Sequence, residues 1–239
     1  MKKKYFFLLF LFVSTNIFSQ LMPDFQLRLN PSLEYNFNKK WGTSFDYVYC
    51  LEENVNQFQG SFLQLGFDFS PSKKIKFGIG YRFTTSYVQD NHRFLAIAQY
   101  KRKFKQFAIG GAIRYEFQTD NFDSEYMQFF NEPTNTFREK LIFDYKVPNS
   151  KLSLSFSPEI FLRYNQVGIN YNRIRFDFGS KYDFKYGQTL GLSVFFDDYA
   201  DNRKADRFVL VTNYNLNLNN LFKKPKKANK PKKAPQIVP

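Results

Sequence analysis

The chain has 239 residues, a formal charge of +14, one cysteine and a mean hydropathy of −0.48, yet 21% of it is aromatic, with 32 Phe and 16 Tyr. A lone cysteine excludes an intrachain disulfide and a thiolate-built metal site, and no stretch beyond the N-terminus approaches the 18 apolar residues of a membrane-spanning helix. The charge is largely terminal: Lys2, Lys3, Lys4 and the seven lysines after Phe222 leave 25 basic residues against 21 acidic ones between them, so the high pI is no sign of nucleic-acid binding and no nucleic-acid partner is expected.

Residues 1–19, MKKKYFFLLFLFVSTNIFS, combine a lysine start, a short apolar core and a small, polar end. That is the pattern of a secretory signal peptide, with cleavage expected after Ser19. About 220 mature residues then fit one all-β domain over 20–222. The first strand reads from Phe25 to Phe37, with Phe25, Leu27, Leu29, Leu33 and Tyr35 in phase. Pro31 shares their face and cannot donate to a ladder, so a bulge or an edge position is expected there. After the turn at 38–40 come Trp41, Thr43, Phe45, Tyr47, Tyr49 and Leu51, then a strand over 63–69 and another over 75–87. The stretch 93–100 has apolar residues on both faces, and 101–106 reads as a basic turn. Phe107, Ile109, Ile113 and Tyr115 resume the alternation.

The clearest unit is FREKLIFDYKVPNSKLSLSFSPEIFLRY, 137–164. Phe137, Leu141, Phe143 and Tyr145 oppose Arg138, Lys140 and Asp144; after a tight turn, Leu152, Leu154, Phe156, Ile160 and Leu162 oppose Ser153, Ser155, Ser157, Glu159 and Arg163. Period-two alternation gives such a hairpin one greasy and one polar face. Two further strands follow, around 174–178 and 190–196, and a last one reads from Phe208 to Phe222. The connections at 38–40, 70–74, 101–106, 147–151 and 185–188 are tight, while those at 52–58, 118–136, 165–170 and 197–206 read as longer and richer in Asn and Asp.

Eleven strands of this kind offer far more bulky apolar side chains than a closed soluble barrel holds. The expected fold is therefore all-β: an antiparallel up-and-down transmembrane barrel of 10–12 strands, twelve favoured because bacterial barrels are even-numbered. Trp41, Tyr87, Tyr100, Tyr145 and Tyr164 near strand ends suit interfacial girdles. Membrane lipid and the barrel-assembly machinery that inserts such proteins are the expected partners, and the expected place is the outer membrane of a Gram-negative bacterium.

Lys40-Trp41 opening a strand, Gly80-Tyr81-Arg82, Ile113-Arg114-Tyr115, Phe137-Arg138, Glu159 within SPEIFLRY and Arg173-Ile174-Arg175 make the chain resemble the outer-membrane barrels catalogued as domain of unknown function 2490. The resemblance covers roughly 24–222. It implies an outer-membrane barrel with no defined activity. The tail at 223–239 lies outside the pattern; its lysine pairs and prolines predict a disordered segment, suited to an anionic periplasmic partner.

Phase places Glu34, Asp46, Asp68, Arg82, Arg114, Glu116, Arg138, Lys140, Asp144, Glu159, Arg163, Arg173, Arg175 and Asp177 toward the lumen. Opposed charges on neighbouring strands predict a paired network that fills a narrow, non-catalytic lumen. An anion-favouring small-solute channel is the alternative. A membrane-embedded lipid hydrolase would need His92, the one histidine, beside Ser61 or Ser86. Acidic residues in the two longer loops, Asp120, Asp123, Glu125 and Glu132 in one and Asp197, Asp198, Asp201 and Asp206 in the other, lack the EF-hand spacing. No cofactor is expected.

Overall fold

The computed structural model describes residues 25–87, 90–120, 133–165, 168–200 and 207–221. The expected signal peptide, the lysine tail and much of the two acidic loops lie outside them. Eleven strands form a closed barrel: β1 (Phe25–Asn36), β2 (Trp41–Glu52), β3 (Gln57–Phe69), β4 (Ile75–Ser86), β5 (Asn91–Phe104), β6 (Phe107–Thr119), β7 (Thr134–Lys146), β8 (Leu152–Asn165), β9 (Gly168–Asp183), β10 (Gln188–Tyr199) and β11 (Arg207–Asn217). Neighbours in sequence pair antiparallel, and the barrel closes with β1 parallel to β11, Phe25 opposite Phe208 and Glu34 opposite Asn217. The favoured count of twelve is thus one too many. An odd number of up-and-down strands leaves the first and last running the same way, so closure requires one parallel seam.

Three local expectations change with the structure. Pro31 makes neither a bulge nor an edge: β1 keeps one register with β2 from Leu27 to Asn36, with a gap in the pairing at Asn30 and Pro31. The basic turn shrinks to Lys105-Gln106, because β5 continues to Phe104 and pairs it with Phe107. The last strand stops at Asn217, where a single helical turn, Leu218–Leu221, takes over.

Loop asymmetry is weaker than the spacing suggested. The 52–58 connection is only four residues, since β2 reaches Glu52 and β3 starts at Gln57; Glu53, Asn54 and Val55 all take positive φ to make that turn. The 165–170 segment is likewise mostly strand. The long connections are those after β6 and β10, and they share one end of the barrel, here called the loop end. The turns after β1, β3, β5, β7 and β9 mark the turn end.

The distribution of side chains is inverted relative to a water-soluble protein. Leu65, Ile79, Ile113, Leu141 and Phe178 stand exposed on the outside, at 47%, 65%, 58%, 55% and 59%. The buried apolar side chains, Val48, Leu95, Phe161, Phe195 and Val209 among them, project inward beside buried Glu116, Arg138, Glu159 and Asp197. Two packed sheets would have hidden the phenylalanines; a closed barrel displays them. A strand of 12 residues, at about 3.3 Å per residue and tilted by roughly 40°, rises about 30 Å, enough for the apolar band. Aromatic pairs ring both ends: Trp41–Phe69 (4.5 Å) and Phe107–Tyr145 (4.9 Å) at the turns, Tyr49–Phe58 (5.0 Å) and Tyr115–Phe137 (5.1 Å) toward the loops.

Candidate functional site

Register decides what meets inside. Lys140 faces Glu159, Glu159 faces Arg175, and Arg175 faces Asp197 on four successive strands. A second row runs Ser32, Asp46, Gln64, Arg82, Arg93 and Gln118 from β1 to β6. Each row is short in the axial direction, so side chains as long as arginine reach from one row to the next.

The centre of this arrangement is Arg138. Its Nε and one terminal nitrogen donate to both Glu159 oxygens at 2.9 Å, and its other nitrogen donates to Glu116 at 2.6 Å. Glu116 also accepts from Arg93 at 3.1 Å and lies 3.6 Å from Arg114. A planar guanidinium fork meeting a carboxylate in two places is the favourable way to bury both charges. Asp197, fully buried, is the second centre: Arg175 holds both its oxygens at 2.6 and 2.9 Å, Arg207 donates at 2.9 Å, and Arg173 stands at 3.5 Å.

Phe161 joins the two centres. The guanidinium carbons of Arg138, Arg173 and Arg175 lie 4.4, 3.8 and 5.2 Å from its ring centroid. Phe195 does the same for Arg175 and Arg28, at 3.8 and 5.1 Å, and Phe62 carries Arg82 at 4.2 Å. Each stacking is worth about 0.5–2 kcal/mol when desolvated, and an aromatic ring keeps like charges apart without a carboxylate between them.

Above these centres, toward the loop end, lies a cavity of about 360 Å³. Among the described residues Arg28, Arg82, Arg93, Arg138, Arg173, Arg175 and Arg207 line it, with Cys50, Gln59 and Thr84 in the uncharged walls and no carboxylate. Nearer the turn end a separate cavity of about 700 Å³ is lined by Ser155, Ser193, Gly179, Gly191, Asn213, Asn215 and Asn217, among others. The two share no lining residue; the layer holding Glu159 and Lys140 separates them.

The fourteen residues placed inward by phase all fall on the inner face, but they form no single network. Glu116, Arg138, Glu159, Arg114, Arg173, Arg175 and Arg82 cluster in the loop half, with Lys140 and Asp177 3.8 Å apart just below. Asp46 accepts from Gln64 at 3.3 Å, Glu34 from Asn215 at 2.7 Å, Asp68 pairs with Lys76 at 2.9 Å, and Asp144 pairs with Lys101. Arg163 points inward near the loop end, is exposed, and makes no ion pair among the described residues. His92 is the second residue of β5; its Nδ1 meets the Tyr81 hydroxyl at 2.6 Å on the outer face, while Ser86 lines the inner cavity, so the two do not form a nucleophile–base pair.

The family model described as protein of unknown function (DUF2490) matches residues 25–208. The chain belongs to this family. No curated protein matches the chain in sequence. A solved chain described as "Bacterial polysaccharide outer membrane secretin" aligns with 14% identity and a TM-score of 0.46, over 76% of this chain and 64% of its own, so the chain spans less than two thirds of that structure's length. In this DUF2490 barrel the matched span contains all seven cavity arginines and ends before Asn213.

Four members of the site escape the sequence pattern: Arg28, Arg93, Asp197 and Arg207. Asp197 and Arg207 were expected in or beside a loop, and β10 and β11 absorb both. Arg93 was hidden by Leu95 and Ile97, which lie on the same inward face and blur the alternation. Arg28 alternates correctly between Leu27 and Leu29, and its phase alone could have found it.

Proposed function

We propose that this protein is an integral outer-membrane β-barrel, non-catalytic, with a lumen closed to free solute passage by the arginine–carboxylate layer. The observation that carries the reading is the inversion of the wall: Ile79, Ile113 and Leu141 outside, Glu116, Arg138, Glu159 and Asp197 buried inside. An exposed apolar surface that runs around a closed barrel supports a hydrocarbon surrounding. The aromatic pairs at both strand ends suit the headgroup regions. With the tight turns on the periplasmic side, the chain leaves β11 toward the periplasm, where the lysine tail meets anionic partners. Insertion requires the barrel-assembly machinery, as for any closed barrel of this class.

Closure rests on the pairing at the middle of the lumen. Arg138 spans Glu116 and Glu159 along the wall of β6, β7 and β8, and Arg28, Arg82, Arg93, Arg175 and Arg207 reach the same space from strands around the rest of the barrel. The experiment is single-channel recording of the refolded, detergent-purified full-length chain in a planar bilayer. Quiet membranes are expected from the native chain, and steady current steps from a chain with Arg138 and Glu159 both replaced by Ser. The second reading, an anion-favouring channel, is supported by seven arginines around one cavity. A native current carried mainly by anions would establish it and remove the closed lumen. Protein that remains soluble and monodisperse without detergent would remove both.

A further inference from the structure

We propose that the arginine-lined cavity is a binding site for a small phosphoryl-bearing polyanion. The inference rests on the reading of the barrel as closed, which makes the cavity a place of retention, and its test is binding rather than conductance.

Among the described residues, three carboxylates touch the seven cavity arginines: Glu116, Glu159 and Asp197. Arg28 and Arg82 touch none. Arg82 donates from two nitrogens to Gln64 Oε1, at 2.9 and 2.6 Å, and rests on Phe62; Arg28 has its stacking on Phe195. The Nε groups of Arg28, Arg93, Arg173 and Arg207 are buried without a hydrogen-bond partner. Among the described residues, seven cations against these three anions leave an excess of four around the cavity, with Glu52 one step behind the wall, accepting from the lining Gln59 at 2.8 Å. Buried charge that is not compensated costs several kcal/mol per ion, so an anion entering this space gains the whole of that unbalanced field.

The chemistry of the walls selects the anion. The arginines come from β1, β4, β5, β7, β9 and β11, on nearly all sides of the axis. A planar carboxylate accepts from one or two forks on one side. A tetrahedral phosphoryl group offers acceptors in all directions, and two linked ones carry the charge the cavity lacks. Guanidinium is the side chain that meets phosphate oxygens bidentately. The volume, about 360 Å³, lies at the small end of the range of roughly 300–1,000 Å³ for ligand pockets. That suits a diphosphate or a compact sugar phosphate. The barrel wall surrounds the cavity, so entry is axial, from the loop end.

The test uses the full-length chain folded in a non-ionic detergent, with thermal unfolding followed at constant ionic strength in the presence of inorganic pyrophosphate, citrate or chloride. Pyrophosphate is expected to raise the midpoint by several degrees and to saturate, citrate to act more weakly, and chloride to leave it unchanged. An arm with a short-chain phosphatidic acid in the micelle distinguishes a lipid headgroup from a free phosphate: a shift in that arm alone assigns the phosphoryl group to lipid. Arg28→Gln with Arg82→Gln breaks no carboxylate pair, so this variant keeps its fold, and its affinity for pyrophosphate is expected to fall on the order of tenfold to a hundredfold. Equal shifts from all anions, no shift from any, citrate outperforming pyrophosphate, or a double variant that binds as the native chain does would each overturn the proposal. Quiet bilayers together with failed binding would leave the closed barrel standing and remove this site alone.

Discussion

The two halves of the lumen solve the same problem by different means. Both must fill a polar interior whose walls are strands with alternate residues turned inward. The loop half does so with long charges: Arg138, Arg175 and Arg207 reach Glu116, Glu159 and Asp197, the first two stacking on Phe161 and Phe195 and the third on Tyr199. The turn half sets short neutral groups, Ser155, Ser193, Gly179, Gly191 and the asparagines of β11, among a few charges (Glu34, Asp177, Lys181, Asp183), and leaves about 700 Å³ open. Its charges pair as lysine with aspartate and are more exposed: Lys76 with Asp68 at 2.9 Å, and Lys181 and Asp183 3.8 Å apart and half-exposed. One half is a packed interior built from ions, the other a wetted vestibule. The difference teaches that tight structure in this barrel depends on where guanidinium forks meet carboxylates, since neither half has a conventional apolar core.

The sharpest way to break that comparison is Arg138→Ala. It strands Glu159, 4% exposed, and leaves Glu116 only Arg93 and Arg114, and removal of one partner from a buried ion pair costs about 3–5 kcal/mol. The same truncation at Lys76 removes a 2.9 Å pair with Asp68 in the turn half, where Lys76 is about half-exposed; such pairs contribute roughly 0–1 kcal/mol. Urea unfolding of the detergent-folded variants, read by the mobility shift of folded barrels in gels, measures both. If the two variants lose equal stability, the halves do not differ in the way argued.

That asymmetry was only half legible in the sequence. The alternation over 137–164 placed Arg138, Lys140, Glu159 and Arg163 on the inward face because one greasy and one charged side chain per step leave a single consistent phase. It failed where an inward position is apolar: Leu95 is buried inside, and Phe161 and Phe195 sit among the arginines as stacking surfaces, and a rule that equates greasy with outward cannot see them. It failed again at strand ends. Asp197 follows Phe195-Phe196 and precedes another aspartate, which reads as the start of a loop, yet its ion pairs with Arg175 and Arg207 carry β10 on to Tyr199. Strand number was open for a different reason. Counting alternating runs gave eleven, and the preference for an even number argued for twelve, but closure parity depends on whether β1 meets β11 side by side, which no local pattern records. The asparagines at 213, 215, 217 and 219 were visible in the sequence, though their purpose appears only with the seam.

A second prediction compares the two sides of the wall at one height. Glu139 follows Arg138 and therefore points outward, between Phe137 and Leu141 on its strand and opposite Ile113 and Ile160 on its neighbours. It is exposed, lies at the middle of β7, and has no hydrogen bond or ion pair among the described residues. Inside, a charge at this height is tied to two partners; outside, one stands alone in the apolar belt. With hydrocarbon on that face, Glu139→Leu is expected to stabilise the barrel by about 1–2 kcal/mol, less than the roughly 2–4 kcal/mol that a basic side chain costs at the midplane. The unfolding midpoint in lipid vesicles should rise. A fall would place this face against something other than lipid.

The smallest expected effect belongs to the turn half and its seam. Parallel pairing is slightly weaker per residue than antiparallel, and the β1–β11 ladder carries its own side-chain supports on the lumen side, built from asparagines. Asn213 accepts from Asn30 at 2.8 Å, and Asn215 donates to Ser32 at 3.0 Å and to Glu34 at 2.7 Å. Beyond the strand, the Asn219 side chain accepts from the Asn36 amide at 2.6 Å and donates to the Asn36 carbonyl at 2.7 Å, so the terminal helical turn is fastened to the end of β1. Because water reaches this half, each lost bond is replaced in part by solvent, and Asn215→Ala should cost only about 1 kcal/mol of global stability. Its local effect is the informative one. Amides of β1 and β11 should exchange hydrogen faster than those of β6 and β7, and the variant should widen that gap while leaving the Arg138 layer protected. Uniform protection around the barrel, unchanged by the substitution, would mean that the seam holds by its backbone ladder alone and that the asparagines serve only to keep the vestibule polar.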